Sequence, residues 1–215
     1  MPDGGVAPLP HRPAGERAVV LDCGPEAAGT AEAVRELAER WGIPLADVVP
    51  GAATVLVVAA NHSDLQRFLA ALPQLGPASA AADTGVTIEL PTRYDGPDLR
   101  AVAYATGLTV AEVVARHSAA EYEAAFTGFA PGFAYLSGLD PVLRLPRRPS
   151  PRPRVPPGSV AIADAFSAVY PRASPGGWHL LGSTDAVSFD PSREPPALIA
   201  PGTRVRFVPL PGPTP

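Results

Sequence analysis

Lysine is absent from this 215-residue chain, and all 17 basic residues are arginine. Without lysine there is no P-loop lysine for nucleotide phosphates, no Schiff-base amine and no lysine base behind a serine nucleophile. No biotin can be attached here either. Cysteine occurs once, as Cys23, so an intramolecular disulfide framework cannot form. Cys23 reads as a small buried apolar residue rather than a nucleophile. The four histidines, His11, His62, His117 and His179, are scattered and show no metal-ligand spacing. No Gly-x-Ser-x-Gly elbow occurs. Apolar runs such as Thr54 to Ala60 are too short to span a bilayer. The first fifteen residues, MPDGGVAPLPHRPAG, lack the apolar stretch of a signal peptide. A net charge of −4 offers no general attraction to nucleic acid. These absences point to a cytoplasmic chain with no membrane, nucleic-acid, metal or biotin site of its own.

What is present is apolar residues at 46%, enough for a core, with 29 prolines and 20 glycines. That punctuation favours short strands joined by many turns over a helical bundle. Residues 1–16 read as an irregular lead-in. A strand is expected over Arg17 to Cys23, a helix over Thr30 to Trp41 and a buried strand over Thr54 to Ala59. A second helix, Ser63 to Leu72, opens on what reads as a Ser63–Gln66 capping box. The Pro/Ala/Gly-rich stretch from Leu75 to Gly85 marks a boundary, dividing residues 1–82 from 83–215. Beyond it come a strand from Val86 to Leu90, a short helix from Pro97 to Thr106, and a helix opened by a Thr109–Glu112 capping box. After Tyr122 only short strands and turns follow, which suits a closed or nearly closed barrel. The fold class is α+β.

Three constellations can carry chemistry. In Gly128 to Leu136, Gly128, Pro131 and Gly132 flank Phe133 and Tyr135, so backbone can approach a ligand beside aromatic walls. The plain alternative is a tight hairpin whose aromatics are core. In Leu145 to Ser159, prolines hold an arginine strip extended. Arg152 and Arg154 there suit carboxylate or phosphate binding, and Pro157, Gly158 and Ser159 complete the segment. A solvated surface loop is the alternative. In Tyr170 to Thr184, the turn at Ser174, Gly176 and Gly177 can turn several N–H groups toward an anion. Trp178 and His179 follow, with Thr184 at the end. His179 is the best-placed acid/base candidate, against a purely structural histidine.

Taken together, GFAPGFAYLSGLDP (128–141), PRRPSPRPRVPPGSVAIA (146–163), YPRASPGGWHLLGST (170–184) and FDPSREPPALIAPGTRVRFVP (189–209) resemble allophanate hydrolase subunit 1, also classed as the B-type subunit of 5-oxoprolinase. The same group holds the carboxyltransferase subdomain of urea amidolyases and a bacterial inhibitor of a sporulation histidine kinase. The resemblance implies a small N-terminal α+β domain followed by a cyclophilin-like β-barrel. It implies a homologous second carboxyltransferase-like subunit and a TIM-barrel-like subunit as partners. It implies ATP-dependent opening of 5-oxoproline to glutamate by the complex, with ATP held by another subunit or by an unfamiliar arginine and backbone site here. A kinase-inhibiting binding module and a urea-amidolyase-type carboxyltransferase domain are the alternatives. Amidase-signature chemistry is excluded, because it needs a lysine. Ala161, Asp164, Phe166, Ser167 and Ala168 stand where the family pattern has Gly, Gly, Gln, Thr and Gly, and Ser183 where it has Arg. A pocket wall that is bulkier and more acidic or apolar is expected there.

Overall fold

The structure, a computed structural model, describes residues 9–78 and 85–211. The chain divides into two compact units, Met1–Ala82 and Asp83–Pro215.

The first unit is an antiparallel four-stranded sheet of β1 (His11–Pro13), β2 (Ala18–Asp22), β3 (Leu45–Pro50) and β4 (Thr54–Ala59), in the spatial order β1-β2-β4-β3. Helices α1 (Ala27–Arg40) and α2 (His62–Ala71) cover one face. Alternation decides which strand residues they cover: Val19, Leu21, Val55 and Val57 point inward to Val34, Leu37 and Phe68. Two strands differ from expectation. Residues 11–13 extend the sheet as an edge strand held by an Arg12–Asp22 ion pair, rather than trailing as a lead-in. The segment Leu45–Pro50 pairs with β4 although Ala46, Asp47 and Val49 are exposed, so its apolar alternation is too weak to read. The cap of α2 also differs. Asn61 is extended, with φ −152°, and its side chain accepts the Asp64 N–H at 3.0 Å. Ser63 therefore lies inside the first turn and forms no capping box.

The second unit is built on a seven-stranded sheet of β5 (Thr87–Thr92), β6 (Tyr122–Thr127), β7 (Ala134–Ser137), β9 (Ser159–Ala163), β10 (Phe166–Val169), β12 (His179–Ser183) and β13 (Arg204–Pro209). Their order is β12-β9-β10-β7-β6-β13-β5, with only β13 and β5 parallel. A separate ribbon pairs β8 (Arg152–Val155) with β11 (Ser174–Gly176). The two edges of the large sheet meet. Arg93 and Ser183 exchange both backbone hydrogen bonds at 2.8 Å, Gly96 N–H donates to the Leu181 carbonyl, and Asp98 N–H donates to that of Leu180. The sheet is thus a nearly closed barrel, which removes its open edges. Closure needs glycine: a Cβ on Gly96 would overlap the Leu180 carbonyl, and one on Gly182 that of Arg93.

One face of every large-sheet strand feeds a single core of Leu90, Tyr122, Leu136, Ile162, Leu181 and Phe207, with Val205 beside them. Helices α3 (Leu99–Thr106) and α4 (Val110–Ala119) add Val102, Ala103 and Val113 to it. The Thr109–Glu112 capping box opens α4 as expected. Helix α3 starts at Leu99 rather than Pro97, because Asp98 is drawn away to pair with β12. Among the described residues, no helix is long and apolar enough to cross a membrane.

Candidate functional site

The opposite face of β7, β9, β10 and β12 carries a second cluster. Phe133, Ala161, Ala163, Ala168, Tyr170, Trp178 and Leu180 are buried there, with Val155 of the ribbon against them and Tyr135 and Phe166 half-buried at the margin. The period-2 alternation of strands produces it: Ile162 faces the barrel interior while its neighbours Ala161 and Ala163 face outward. The rings meet edge to face, Phe133 with Tyr170 at 5.4 Å and with Trp178 at 5.6 Å. Tyr135 stacks on Phe126 at 4.3 Å. Such geometry places ring edges against negative ring faces and adds to burial. Burial pushes the Tyr170 phenol above its ordinary value, although the Trp178 backbone and the charges of Arg147 and Arg152 pull the other way.

Backbone locks hold the flanking turns. Gly158 N–H donates to the Tyr170 carbonyl at 2.7 Å, Tyr170 N–H to that of Ser159 at 3.0 Å, and Thr184 N–H to that of Gly158 at 2.8 Å. Ser159 Oγ donates to the Pro156 carbonyl, and Thr184 Oγ1 accepts from Ala186 N–H. Gly176 lies directly against the Tyr170 hydroxyl, where a Cβ would overlap it. Gly177 offers its carbonyl to the Arg148 N–H at 2.7 Å. Pro157 is exposed, and Pro131 and Ser174 occupy turn and ribbon positions around the cluster. The structure therefore gathers Phe133, Tyr135, Tyr170, Gly176 and Trp178, while Gly158, Ser159 and Thr184 act through backbone at one end. Gly128 and Gly132 frame the turn before Phe133.

The arginine strip is divided by a residue that sequence reasoning missed. Asp98, its side chain only 4% exposed, binds Arg148 Nη1 at 2.5 Å and takes Arg152 in a fork at 2.7 and 2.8 Å. Its second oxygen also accepts the Leu180 N–H at 2.8 Å. Burial alone would push the Asp98 carboxyl up, but the hydrogen bonds from Arg152 and Leu180 and the two arginine charges hold it below its ordinary value. Arg152 is thus committed to an internal pair. Arg154 is exposed, and its side chain makes no hydrogen bond or ion pair among the described residues. Arg147 reaches over Trp178 at 6.0 Å and lies 3.9 Å from Asp164. No signal in the linear chain links Asp98 to residues 148 and 152, 50 and 54 positions away.

His179 is half-buried on β12, and its Nε2 donates to the Pro146 carbonyl at 2.9 Å. No carboxylate or nucleophile hydrogen-bonds its ring among the described residues. His117 is the buried histidine, and its ring has two side-chain partners. Ser167 Oγ–H donates to the Ala161 carbonyl, leaving its oxygen to accept from His117 Nε2 at 3.0 Å. The unprotonated Nδ1 then accepts the Tyr94 O–H at 2.7 Å. This relay lies inside the barrel, and desolvation pulls His117 down to about 3. No group of three or more His, Cys, Asp or Glu among the described residues could hold a metal.

Not all of the altered 161–168 segment borders the aromatic face. Ala161, Phe166 and Ala168 do, and Phe166 makes that wall more apolar by packing edge-on to Phe126 and Tyr135. Ser167 points into the barrel. Asp164 sits in the tight turn between β9 and β10 at φ +52°, a conformation that suits glycine. Ser183 Oγ donates to Asp95 at the barrel seam.

Known proteins are similar to this chain. The family model described as "Carboxyltransferase domain, subdomain C and D" matches residues 9–199. The B-type subunit of 5-oxoprolinase from Escherichia coli O157:H7 is 40% identical over 209 residues, covering 91% of this chain and 93% of that one. Among solved structures, the protein TTHA0988 superposes with a TM-score of 0.74 at 40% identity over 93% of this chain. This chain spans only 41% of that one. The urea carboxylase of Kluyveromyces lactis superposes with a TM-score of 0.75 over 98% of this chain and 22% of its own, and at 18% identity that likeness is one of fold.

Proposed function

The chain belongs to the family of carboxyltransferase domains, subdomains C and D, and from that premise we propose that it is one subunit of an ATP-dependent amide-opening enzyme that hydrolyses 5-oxoproline to glutamate. The observation that carries this reading is the near full-length match, at 40% identity, to the B-type subunit of a 5-oxoprolinase. A lactam amide is resonance-stabilised and resists water, so activation of its oxygen by phosphoryl transfer fits the chemistry. A chain without lysine has no P-loop-type phosphate contact of its own, and Arg154 is an exposed guanidinium without a partner among the described residues. The nucleotide is therefore assigned to partner chains, a second carboxyltransferase-like subunit and a TIM-barrel-like subunit, working with this one in the cytoplasm. The role given to this chain is to bind and orient. Phe133, Tyr135, Tyr170 and Trp178 supply apolar walls, Gly176 and Gly177 supply backbone, Arg147 and Arg154 supply positive charge, and His179 is the candidate for proton transfer at its ring nitrogen.

The test is to co-express the chain with candidate partner subunits, purify the assembly and measure glutamate release from 5-oxoproline with and without ATP. ATP-dependent release by the complex, and none by this chain alone, is expected. A well-assembled complex that releases no glutamate would sink the reading.

A further inference from the structure

Phe129 is not among the candidates that the sequence singles out, yet its backbone is the more conspicuous of two anomalies. Among the described residues, it and Asp164 are the non-glycine residues with positive φ, Phe129 at +66°. The Ala130 N–H reaches back to the Gly128 carbonyl at 2.7 Å, closing a three-residue γ-turn centred on Phe129. This hand of γ-turn is rare and strained, and a bulky side chain in the left-handed region is an outlier. Glycine would hold the same turn without strain. Such strain persists where neighbours over-determine it, and it concentrates at ligand-contacting positions.

The neighbours do over-determine it. Gly128 N–H donates to the Phe133 carbonyl at 3.2 Å, and Phe133 N–H to that of Ala130 at 2.9 Å. Gly132 is wedged so closely that a Cβ there would lie 2.6 Å from the Phe189 side chain. Burial of the ring does not offset the strain, because Phe129 is 59% exposed. It meets the cluster in T-shaped contacts, its ring centroid 5.2 Å from that of Phe133 and 6.2 Å from that of Tyr170. The result is a rigid turn that displays an aromatic ring at the rim of the aromatic face. A ring fixed before binding loses little conformational freedom when a ligand arrives.

We propose that Phe129 is a substrate-specificity residue of this face, its exposed ring receiving the flat side of a small amide ring whose carboxylate is met by the guanidiniums bordering the same cluster. Arg147, 6.0 Å from the Trp178 ring, is the guanidinium the structure places there. The inference rests on the function proposed above and adds the residue that takes the lactam ring.

The experiment uses the assembled complex with wild-type chain, Phe129→Gly and Phe129→Leu. Phe129→Gly removes both the ring and the strain, so its complex should melt at or above the wild-type temperature. Its KM for 5-oxoproline should rise about tenfold, the usual scale for a lost aromatic contact, with kcat changed by less than about twofold. Phe129→Leu, which keeps apolar area but no flat face, should give a rise of about threefold. A merely structural residue would show the reverse pattern, a lower melting temperature with unchanged KM, and that result overturns the proposal. Unchanged KM in either variant, at any melting temperature, overturns it too. If the wild-type complex itself opens no lactam, the function reading fails and takes this assignment with it. An active wild type with indifferent variants sinks the Phe129 proposal alone.

Discussion

Replacing Asp98 with alanine tests the clamp that ties the arginine loop to the barrel seam. The substitution removes one hydrogen bond from Arg148, two from Arg152 and one from the Leu180 N–H. It leaves two guanidiniums without their counter-charge. Breaking a buried ion pair from one side costs about 3–5 kcal/mol. The arginine side chains keep 32% and 21% of their exposure, so water partly compensates. A loss near the lower end, about 3 kcal/mol, is the expected value. For a chain of this size that corresponds to a fall of roughly 6–12 °C in Tm. Asp98→Asn keeps one acceptor but no charge, and should lose about half as much. The pH dependence has a definite sign. The folded carboxyl titrates below its ordinary 3.8, so the stabilisation is fully present above that value and is lost as pH falls through the folded pKa. Calorimetry of the three proteins at neutral pH and below about pH 3 should show a wide gap that narrows in acid. Asp98→Ala melting within about 1 °C of wild type at neutral pH would refute the reasoning, since the clamp would then contribute almost nothing net.

Other consequences are equally direct. His117 is neutral and buried, with its folded pKa near 3 against an ordinary 6.5, so its contribution is full above the ordinary value and declines as pH falls toward 3. Its ring resonances should show no titration between about pH 5 and 8, and titration of His117 there would contradict the relay. Gly182→Ala forces a Cβ into the Arg93 carbonyl across the seam. A loss of about 3 kcal/mol or more is expected from overpacking against backbone, and a melting temperature equal to wild type would show that the seam yields easily.

Much of the architecture is legible in the sequence because it is local. The strand Thr54–Ala59 can be read there with the boundaries the structure shows, since five of its six residues are apolar in an unbroken β-type run. The Thr109–Glu112 box is equally readable, because a cap involves residues three apart. Edge strands β1 and β3 are not, because backbone pairing to β2 and β4 holds them and their exposed side chains carry no alternating signal. The aromatic and glycine constellations are visible as composition. The structure decides which of their members share a face, because strand alternation sends Phe166 and Ala168 outward and Ser167 to His117 inside.

By itself, then, the sequence determined what this chain lacks, lysine above all, and hence that nucleotide chemistry of the P-loop kind cannot be its own. It also determined the local elements and the family pattern. Only the tertiary structure decided which arginines are committed and which are displayed. A guanidinium looks the same in every linear context, and its availability depends on whether folding brings a carboxylate such as Asp98 to it. Only the tertiary structure, likewise, set Phe129 in a strained turn with its ring in solvent. That outcome depends on contacts at Phe133 and Phe189 that fix the turn from both sides.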